Sequence, residues 1–337
     1  TAAAVGDILG SLEGNEPFVS YSTVGDAIGV AFGGGVPAPP ALDMEPQNLA
    51  QALGKYSQEL GSCSTEPGAV LAGPIIPTEL DGTIFVWDPE LPGYAPGGQL
   101  DPDPYPDFDN VRFMLYKIAF DPINPDVWEV LIEEPVGYVD FVDESADPTF
   151  TLHIIVTPTG ATPVVDYTVG CSIVGFTGTL TGLGFITDGQ TQVNLDLFAQ
   201  QDFGTGAIAI DFDLDVPSAN LEIHFDAEAA SPDDFESETG TFSANFWVTR
   251  NNTIKFSLDS DLGVLDGLVQ FCDAANNCAN AAFISGTFEQ PVITDAQGNV
   301  LNQEAIAALG ELFDAAGAFV DHLFPLLTPA AEICLGD

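Results

Sequence analysis

The stretch IAIDFDLDVPSANLEIHFDAEA, residues 208–229, is the part of the sequence that decides the expected fold. Hydrophobic and polar residues alternate in both of its halves, with turn-forming residues between them. This period of two is typical of antiparallel strands that have one buried and one solvated face. The solvated side, called the polar face below, is almost purely acidic and carries Asp211, Asp213, Asp215, Glu222 and Asp226. Such a face repels itself unless salt or a cation is present.

The same rhythm extends along the chain in both directions. Strand-like segments recur at intervals of roughly 8–12 residues, which is the spacing of sandwiches and barrels. Asp188-Gly189 and Asn251-Asn252 lie between such segments and predict tight hairpins. The sequence therefore predicts a mainly β fold, an antiparallel sandwich or barrel with a few peripheral helices at the N- and C-terminal ends.

Shifts in composition divide the chain into four regions. They are an N-terminal small-residue and helical segment at 1–72, a β meander with a proline- and aspartate-rich loop at 73–160, an antiparallel barrel or sandwich at 161–290, and a C-terminal helix and tail at 291–337. Apolar residues at helical spacing predict helices near 46–60 and 302–324, and a short one within 1–14.

The charge of the chain is extreme, because 51 acidic residues face 5 basic ones and the formal net charge is −46. Nucleic acid and anionic membranes are excluded as partners, since no basic patch exists to bind phosphates. High salt or bound calcium would relieve the repulsion, and a solubility surface for saline surroundings is the alternative interpretation. No uncharged apolar run is long enough to predict a membrane span. The start at Thr1 is interpreted as a processed, extracellular or cell-surface form, although a truncated sequence would look the same.

The five cysteines are Cys63, Cys171, Cys272, Cys278 and Cys334. Cys272 and Cys278 enclose a short polar turn, so we predict a local disulfide between them. The odd number leaves one thiol free or paired between chains, and the pairing of the other three stays open.

Two acidic groups are candidate calcium sites, because calcium prefers several hard oxygen ligands from a flexible loop. Neither matches an EF-hand loop, and a solvated acidic loop is the alternative interpretation of the first group. The groups are Asp101, Asp103, Asp107 and Asp109 in a proline-rich loop, and Asp259, Asp261 and Asp266 further along the chain.

No constellation of residues predicts a catalytic reaction. His153, His224 and His322 are far apart in sequence and are interpreted as surface or satisfied core residues. Serine-hydrolase and phosphate-loop motifs are absent. A carboxylate pair for glycoside hydrolysis stays open only because acidic residues are so abundant.

Aromatic residues and one asparagine bear on glycans. Trp87, Trp128 and Trp247 would form a platform for stacking sugars if they lay together, but a role in the sheet core is the alternative. Asn251 begins an Asn-Asn-Thr sequence at a predicted hairpin tip, which matches the glycosylation acceptor pattern.

Residues 168–288 contain four short fragments rich in glycine, threonine and phenylalanine: FTGTL at 176–180, DFGTG at 202–206, GTFSA at 240–244 and ISGTF at 284–288. With these fragments the region resembles the eight-stranded β-barrel halves of transferrin-binding-protein-B-like surface proteins. The resemblance implies an outer-surface β-barrel. The chain departs from that family in its acidity and in lacking a lipid-anchoring cysteine at position 1, and no matching motif implies iron-carrier binding.

The leading functional hypothesis is a secreted, non-catalytic structural protein that assembles with copies of itself into a filament or surface layer. The charge-poor residues 17–42 and 324–333 would make the contacts, since repulsion makes association through two like-charged polar faces unfavourable. The alternatives are a ligand-binding or adhesive surface barrel stabilised by calcium, with glycans as partners, and a carboxylate-dependent hydrolase.

Overall fold

The computed structural model describes residues 14–31, 75–121, 123, 127–146, 149–230, 241–261, 263–287, 290–303 and 306–307. Within them lie one α-helix, two short 3-10 helices and a sheet of 15 strands. The elements are α1 Glu16–Ala31, 3-10 helices Thr78–Leu80 and Pro217–Ala219, β1 Thr83–Asp88, β2 Gly93–Gln99, β3 Asp109–Phe120, β4 Trp128–Asp143, β5 Thr149–Pro158, β6 Val165–Val174, β7 Thr177–Thr187, β8 Gln192–Asp202, β9 Ile208–Val216, β10 Leu221–Ala229, β11 Phe242–Thr249, β12 Thr253–Asp261, β13 Val264–Cys272, β14 Cys278–Thr287 and β15 Pro291–Asp295.

The strands form one sheet in which β3 to β15 follow each other in chain order, all antiparallel. At the other end β1 lies between β2 and β3 and runs parallel to β3. The predicted mainly antiparallel β fold is confirmed. Closure into a barrel is not, because the hydrogen-bonded order is open and ends at β2 and β15. The sheet also continues across residue 160, the predicted boundary between the second and third regions, because β5 pairs with β6.

The predicted hairpins form where the turn residues tolerate unusual backbone angles. Gly189 has a φ of 89° and Asn251 a φ of 102°, both in the left-handed region that these residue types accept most readily. They join β7 to β8 and β11 to β12. The turn before β14 depends on Asp273, whose carboxylate accepts hydrogen bonds from the side chain and backbone of Asn277. These bonds lower the pKa of Asp273 below its ordinary value, since they stabilise the ionised form.

One face of the sheet is buried over most of its width. On β9 every second residue from Ile208 to Val216 is at most 9% exposed. The corresponding residues of β3 to β11 belong to the same hydrophobic cluster. The alternation read from the sequence therefore assigns the two faces correctly, and the acidic residues of β9 and β10 lie on the polar face.

Helix α1 covers the described part of the predicted contact segment 17–42, which ends at Ala31, and one side of it is not exposed. Asn15 caps the helix by accepting a hydrogen bond from the backbone N–H of Phe18. Phe18, Tyr21, Val24 and Ile28 share one side and are buried in the core. The Tyr21 hydroxyl lies 2.8 Å from the hydroxyl of Tyr167 on β6. This side of α1 is thus packed against the sheet, and contact of the rest of residues 17–42 with another copy stays a prediction.

Several predictions fall outside the described residues. These are the helices at 1–14 and 46–60, nearly all of the helix at 302–324, the segment 324–333, Cys63, Cys334 and His322. In the part of the chain that the structure describes, no helix is long and apolar enough to cross a membrane.

Candidate ligand-binding face

The candidate site lies on the polar face, where five neighbouring strands align their side chains in one row. Asp213 on β9 is opposite Asp196 on β8 and His224 on β10. His224 is in turn opposite Trp247 on β11, which is opposite Lys255 on β12. Because cross-strand partners share a face, this register brings two carboxylates, an imidazole, an indole and an ammonium group together.

His224 is held by carboxylates on both of its ring nitrogens. Nδ1 lies 2.6 Å from Asp213 Oδ1 and 3.9 Å from Asp211 Oδ1, and Nε2 lies 3.2 Å from Asp226 Oδ1. The Asn245 side-chain amide donates a 2.9 Å hydrogen bond to the other oxygen of Asp226. With its side chain only 12% exposed, the imidazole has a fixed position and orientation.

The electrostatics of this cluster favour a positive charge. Desolvation raises the pKa of Asp211 above its ordinary value, and the nearby Asp213, Asp226 and Asp196 raise it further. His224 acts in the opposite direction, because a positive imidazolium stabilises the ionised carboxylate. The acids of neighbouring strands are therefore close enough to influence one another.

The cluster has the spacing of a metal site. The ligand atoms of Asp211, Asp213 and His224 all lie within 4.8 Å of one another, and no other three Asp, Glu, His or Cys residues do so in the described part of the chain. A set of one imidazole nitrogen and two carboxylates suits divalent transition ions better than calcium, which prefers oxygen alone.

The indole of Trp247 separates the acidic cluster from a groove. Its ring is stacked on the His224 imidazole, with the ring centres 3.6 Å apart and the planes 19° from parallel. The groove has a volume of about 240 Å³. Its lining combines amide, hydroxyl and ammonium groups with apolar side chains. The lining residues are Asn245, Trp247, Lys255, Phe256, Ser257, Leu268 and Gln270.

The three tryptophans do not form one platform, so that hypothesis is wrong. Trp87 on β1 packs against Trp128 on β4, with the ring centres 6.1 Å apart. Several strands separate these two from Trp247 on β11. Trp247 lies beside polar side chains that line a groove.

The predicted calcium ligands are distributed differently from expectation. Asp259 and Asp266 face each other across β12 and β13, and Asp261 ends β12 opposite Val264. Asp101 and Asp107 lie exposed in the loop between β2 and β3, Asp103 is half-buried in that loop, and Asp109 begins β3. Calcium binding by either group stays a prediction.

The disulfide prediction is confirmed, because Cys272 and Cys278 are bonded at the turn between β13 and β14. Cys171 is a free, buried thiol on β6. Asn251 is exposed at its hairpin tip, and its glycosylation stays a prediction. His153 is satisfied as expected, since its ring nitrogens lie 3.3 Å from Glu144 and 2.8 Å from Asp166.

Sequence reasoning missed the role of His224. The residue has no histidine or cysteine near it in the chain, and its partners come from neighbouring strands. The useful signal was its position within the alternating acidic stretch, opposite Asp213 in a hairpin.

No protein-family model matches the chain, and no curated protein and no solved structure is significantly similar to it. Functional arguments therefore depend on the chemistry of the described residues.

Proposed function

We propose that this chain is a non-catalytic extracellular surface protein that binds a neutral, hydroxyl-rich ligand such as a glycan on the polar face of β11 to β13. The groove beside Trp247 carries the proposal, because it combines one large aromatic surface with several uncharged polar groups.

The groove offers the two kinds of contact that a sugar ring needs. The indole of Trp247 provides an apolar surface for the C–H groups of the ring. Asn245, Ser257 and Gln270 provide hydrogen-bond donors and acceptors for its hydroxyls. A concave site with a few convergent polar groups is also the usual form of a small-ligand site.

Charge selects against acidic ligands. The net charge of −46 repels polyanions, and the acidic cluster around His224 lies directly behind the indole. Lys255 is the lysine of the row, and its ammonium group can donate hydrogen bonds to hydroxyls. Neutral sugars are therefore favoured over sulfated or sialylated ones.

An extracellular location agrees with three features of the chain. The Cys272–Cys278 disulfide is typical of oxidising surroundings. The excess of acidic residues keeps a protein soluble at high ionic strength. The resemblance of residues 168–288 to surface proteins points to the same location.

A glycan array followed by calorimetry tests the proposal. Trp247→Ala should weaken binding of the best neutral glycan by about tenfold or more, since the sugar ring loses the indole on which it stacks. Trp128→Ala is the matched control, because it removes a tryptophan outside the groove, and it should bind normally. Gln270→Ala, which leaves the indole in place, should also weaken binding. Normal binding by both groove variants, or selective binding of polyanionic glycans, would contradict the proposal.

Self-association is a second candidate, favoured by an apolar arm at the β3–β4 hairpin. β3 and β4 pair as far as Phe120 and Trp128, whereas β5 pairs with β4 only from Gly137 onward. Large apolar side chains on this arm are 37% to 92% exposed, which is typical of contact surfaces. They are Phe120, Ile123, Val127, Trp128 and Ile132.

Light scattering at high salt tests this candidate. If the wild-type chain associates through the arm, Ile123→Asp should make it monomeric at micromolar concentration. Leu183→Asp is the control, because Leu183 is also exposed but lies on β7. A monomeric wild-type chain, or equal association of both variants, would exclude the arm as the contact.

A further inference from the structure

Phe283 on β14 is an exposed aromatic residue on the polar face, next to the groove. Its side chain is 38% exposed and lies opposite Leu268, which belongs to the groove lining. The preceding residue, Ala282, is 2% exposed and lies opposite Val269 on the core face. Alternation therefore directs Phe283 to the same face as Trp247, so an aromatic side chain lies on each side of the groove.

The two aromatic rings are too far apart for one sugar ring to contact both. Trp247 is on β11 and Phe283 is on β14, three strands away. At about 4.8 Å between neighbouring strands, the two residues are separated by about 14 Å across the sheet. Along the strands the offset is two residues, from Gln270 to Leu268 on β13, which adds about 7 Å. A ligand that contacts both rings must therefore contain several linked sugar units.

The surface between the two aromatic residues can form hydrogen bonds with ring hydroxyls. Gln270 lies between them and donates a 2.9 Å hydrogen bond from its side-chain nitrogen to the side-chain oxygen of Asn280 on β14. The Gln270 side-chain oxygen and the Ser257 hydroxyl offer further polar groups on β13 and β12. Asp259 and Asp266 lie opposite each other two residues further along these strands, so carboxylates limit the surface on that side.

We propose that the groove binds an extended, neutral oligosaccharide of the cellulose or chitin type, which crosses the strands from Trp247 to Phe283. This inference rests on the proposed glycan-binding function and specifies the length and shape of the ligand. Both aromatic side chains project from one face of the sheet, so the ligand must present apolar C–H surfaces to that face at two distant rings. Cellulose-type chains do so because their rings form a flat ribbon, whereas amylose-type chains curl and turn these surfaces away.

The linkage between the sugar rings determines how affinity depends on chain length. Once one ring is stacked on Trp247, contact of a later ring with Phe283 is intramolecular and involves no second loss of translational freedom. Chains too short to reach Phe283 gain nothing from it. Affinity is therefore expected to rise in one step, at the length that first spans the distance between the two aromatic residues.

Calorimetric titration of the full chain with cello- and chito-oligosaccharides of one to six rings tests the inference. Malto-oligosaccharides of the same lengths provide the curled comparison. For at least one extended series, the six-ring member should bind the wild-type chain about tenfold more tightly than the two-ring member. Phe283→Ala should remove this gain and leave binding of the two-ring member unchanged, whereas Phe283→Tyr retains an aromatic ring and should keep the gain.

Phe271→Ala is the matched control, because Phe271 is 51% exposed on neighbouring β13 but lies on the other face. Its partner Ile254 is opposite Val248, which is 4% exposed in the core. This variant should bind every chain length like the wild-type chain.

The inference is overturned if neither extended series gains affinity with length, or if malto-oligosaccharides show the same gain. It is also overturned if Phe283→Ala keeps the gain, or if Phe271→Ala loses it equally. The proposed function survives these results when Trp247→Ala still weakens binding of the neutral glycan selected on the array. Normal binding of that glycan by Trp247→Ala and Gln270→Ala contradicts the proposed function itself, so the two failures are distinguishable.

Discussion

Arg112→Met is expected to lower the free energy of unfolding by about 3–5 kcal/mol, because it leaves a buried carboxylate without a positive partner. Arg112 on β3 forms two hydrogen bonds to Asp140 on β4, of 2.6 and 2.8 Å. The guanidinium carbon also lies 3.7 Å from the centre of the Tyr138 ring. The side chain of Asp140 is 4% exposed, whereas that of Arg112 is 19% exposed.

The magnitude depends on which partner is removed. Without Arg112, the Asp140 carboxylate stays desolvated in a chain of net charge −46, where almost every other charge repels it. Asp140→Asn instead leaves a partly exposed guanidinium stacked on Tyr138 among many acids, so it should cost only about 1–2 kcal/mol. At about 2 °C per kcal/mol for a large chain, Arg112→Met should lower the melting temperature by roughly 6–10 °C.

Urea unfolding at low and high NaCl measures both variants. The cost of Arg112→Met should persist at high salt, since a buried charge is poorly screened. The double variant Arg112→Met, Asp140→Leu should recover most of the loss, because it removes the stranded charge. Equal losses of under about 1 kcal/mol in both single variants would refute the reasoning and make the pair an ordinary surface ion pair.

Three further predictions concern packing, pH and the disulfide. Gly184→Ala should lower the free energy of unfolding, measured with urea, by about 1–3 kcal/mol, because the added Cβ would overlap the backbone of β6. Gly182→Ala is the control, since its Cβ would meet only ordinary contacts, and the loss should be under about 1 kcal/mol. The tyrosine contribution to the free energy of unfolding should be complete below about pH 10 and fall as the pH rises above it. The reason is that tyrosines of the unfolded chain ionise there, while burial keeps those of the folded chain protonated. Absorbance titration of the folded chain should show tyrosine ionisation at a higher pH than in the unfolded chain. Burial raises the pKa of Tyr21, Tyr94, Tyr105 and Tyr116, to about 12 for Tyr105. Replacing Cys272 and Cys278 together by serine should lower the free energy of unfolding by about 2 kcal/mol, the value expected for so short a loop. Detection of two free thiols at these positions in the native chain would contradict the disulfide.

The sequence alone determined the strand class, the faces and several turns, because these are local properties. Alternation over residues 208–229 assigns each side chain to a face without any knowledge of its neighbours. The hairpins at Gly189 and Asn251 depend on backbone angles that few residue types accept. The Cys272–Cys278 bond joins residues only six positions apart, so closing the loop costs little chain entropy.

Which of these local elements pack or pair with each other depends on tertiary contacts. Helix α1 contains glycines and β-branched residues that favour helix weakly, and burial of Tyr21 against the sheet stabilises it. The pairing of His224 with Asp213, and of Asn110 with Asp81, depends on strand register and on contacts distant in sequence. Period-two alternation is unchanged by a shift of two residues, so it assigns the face of a side chain but not its partner. The partner is selected by packing over the whole sheet, and the open order from β2 to β15 is decided in the same way.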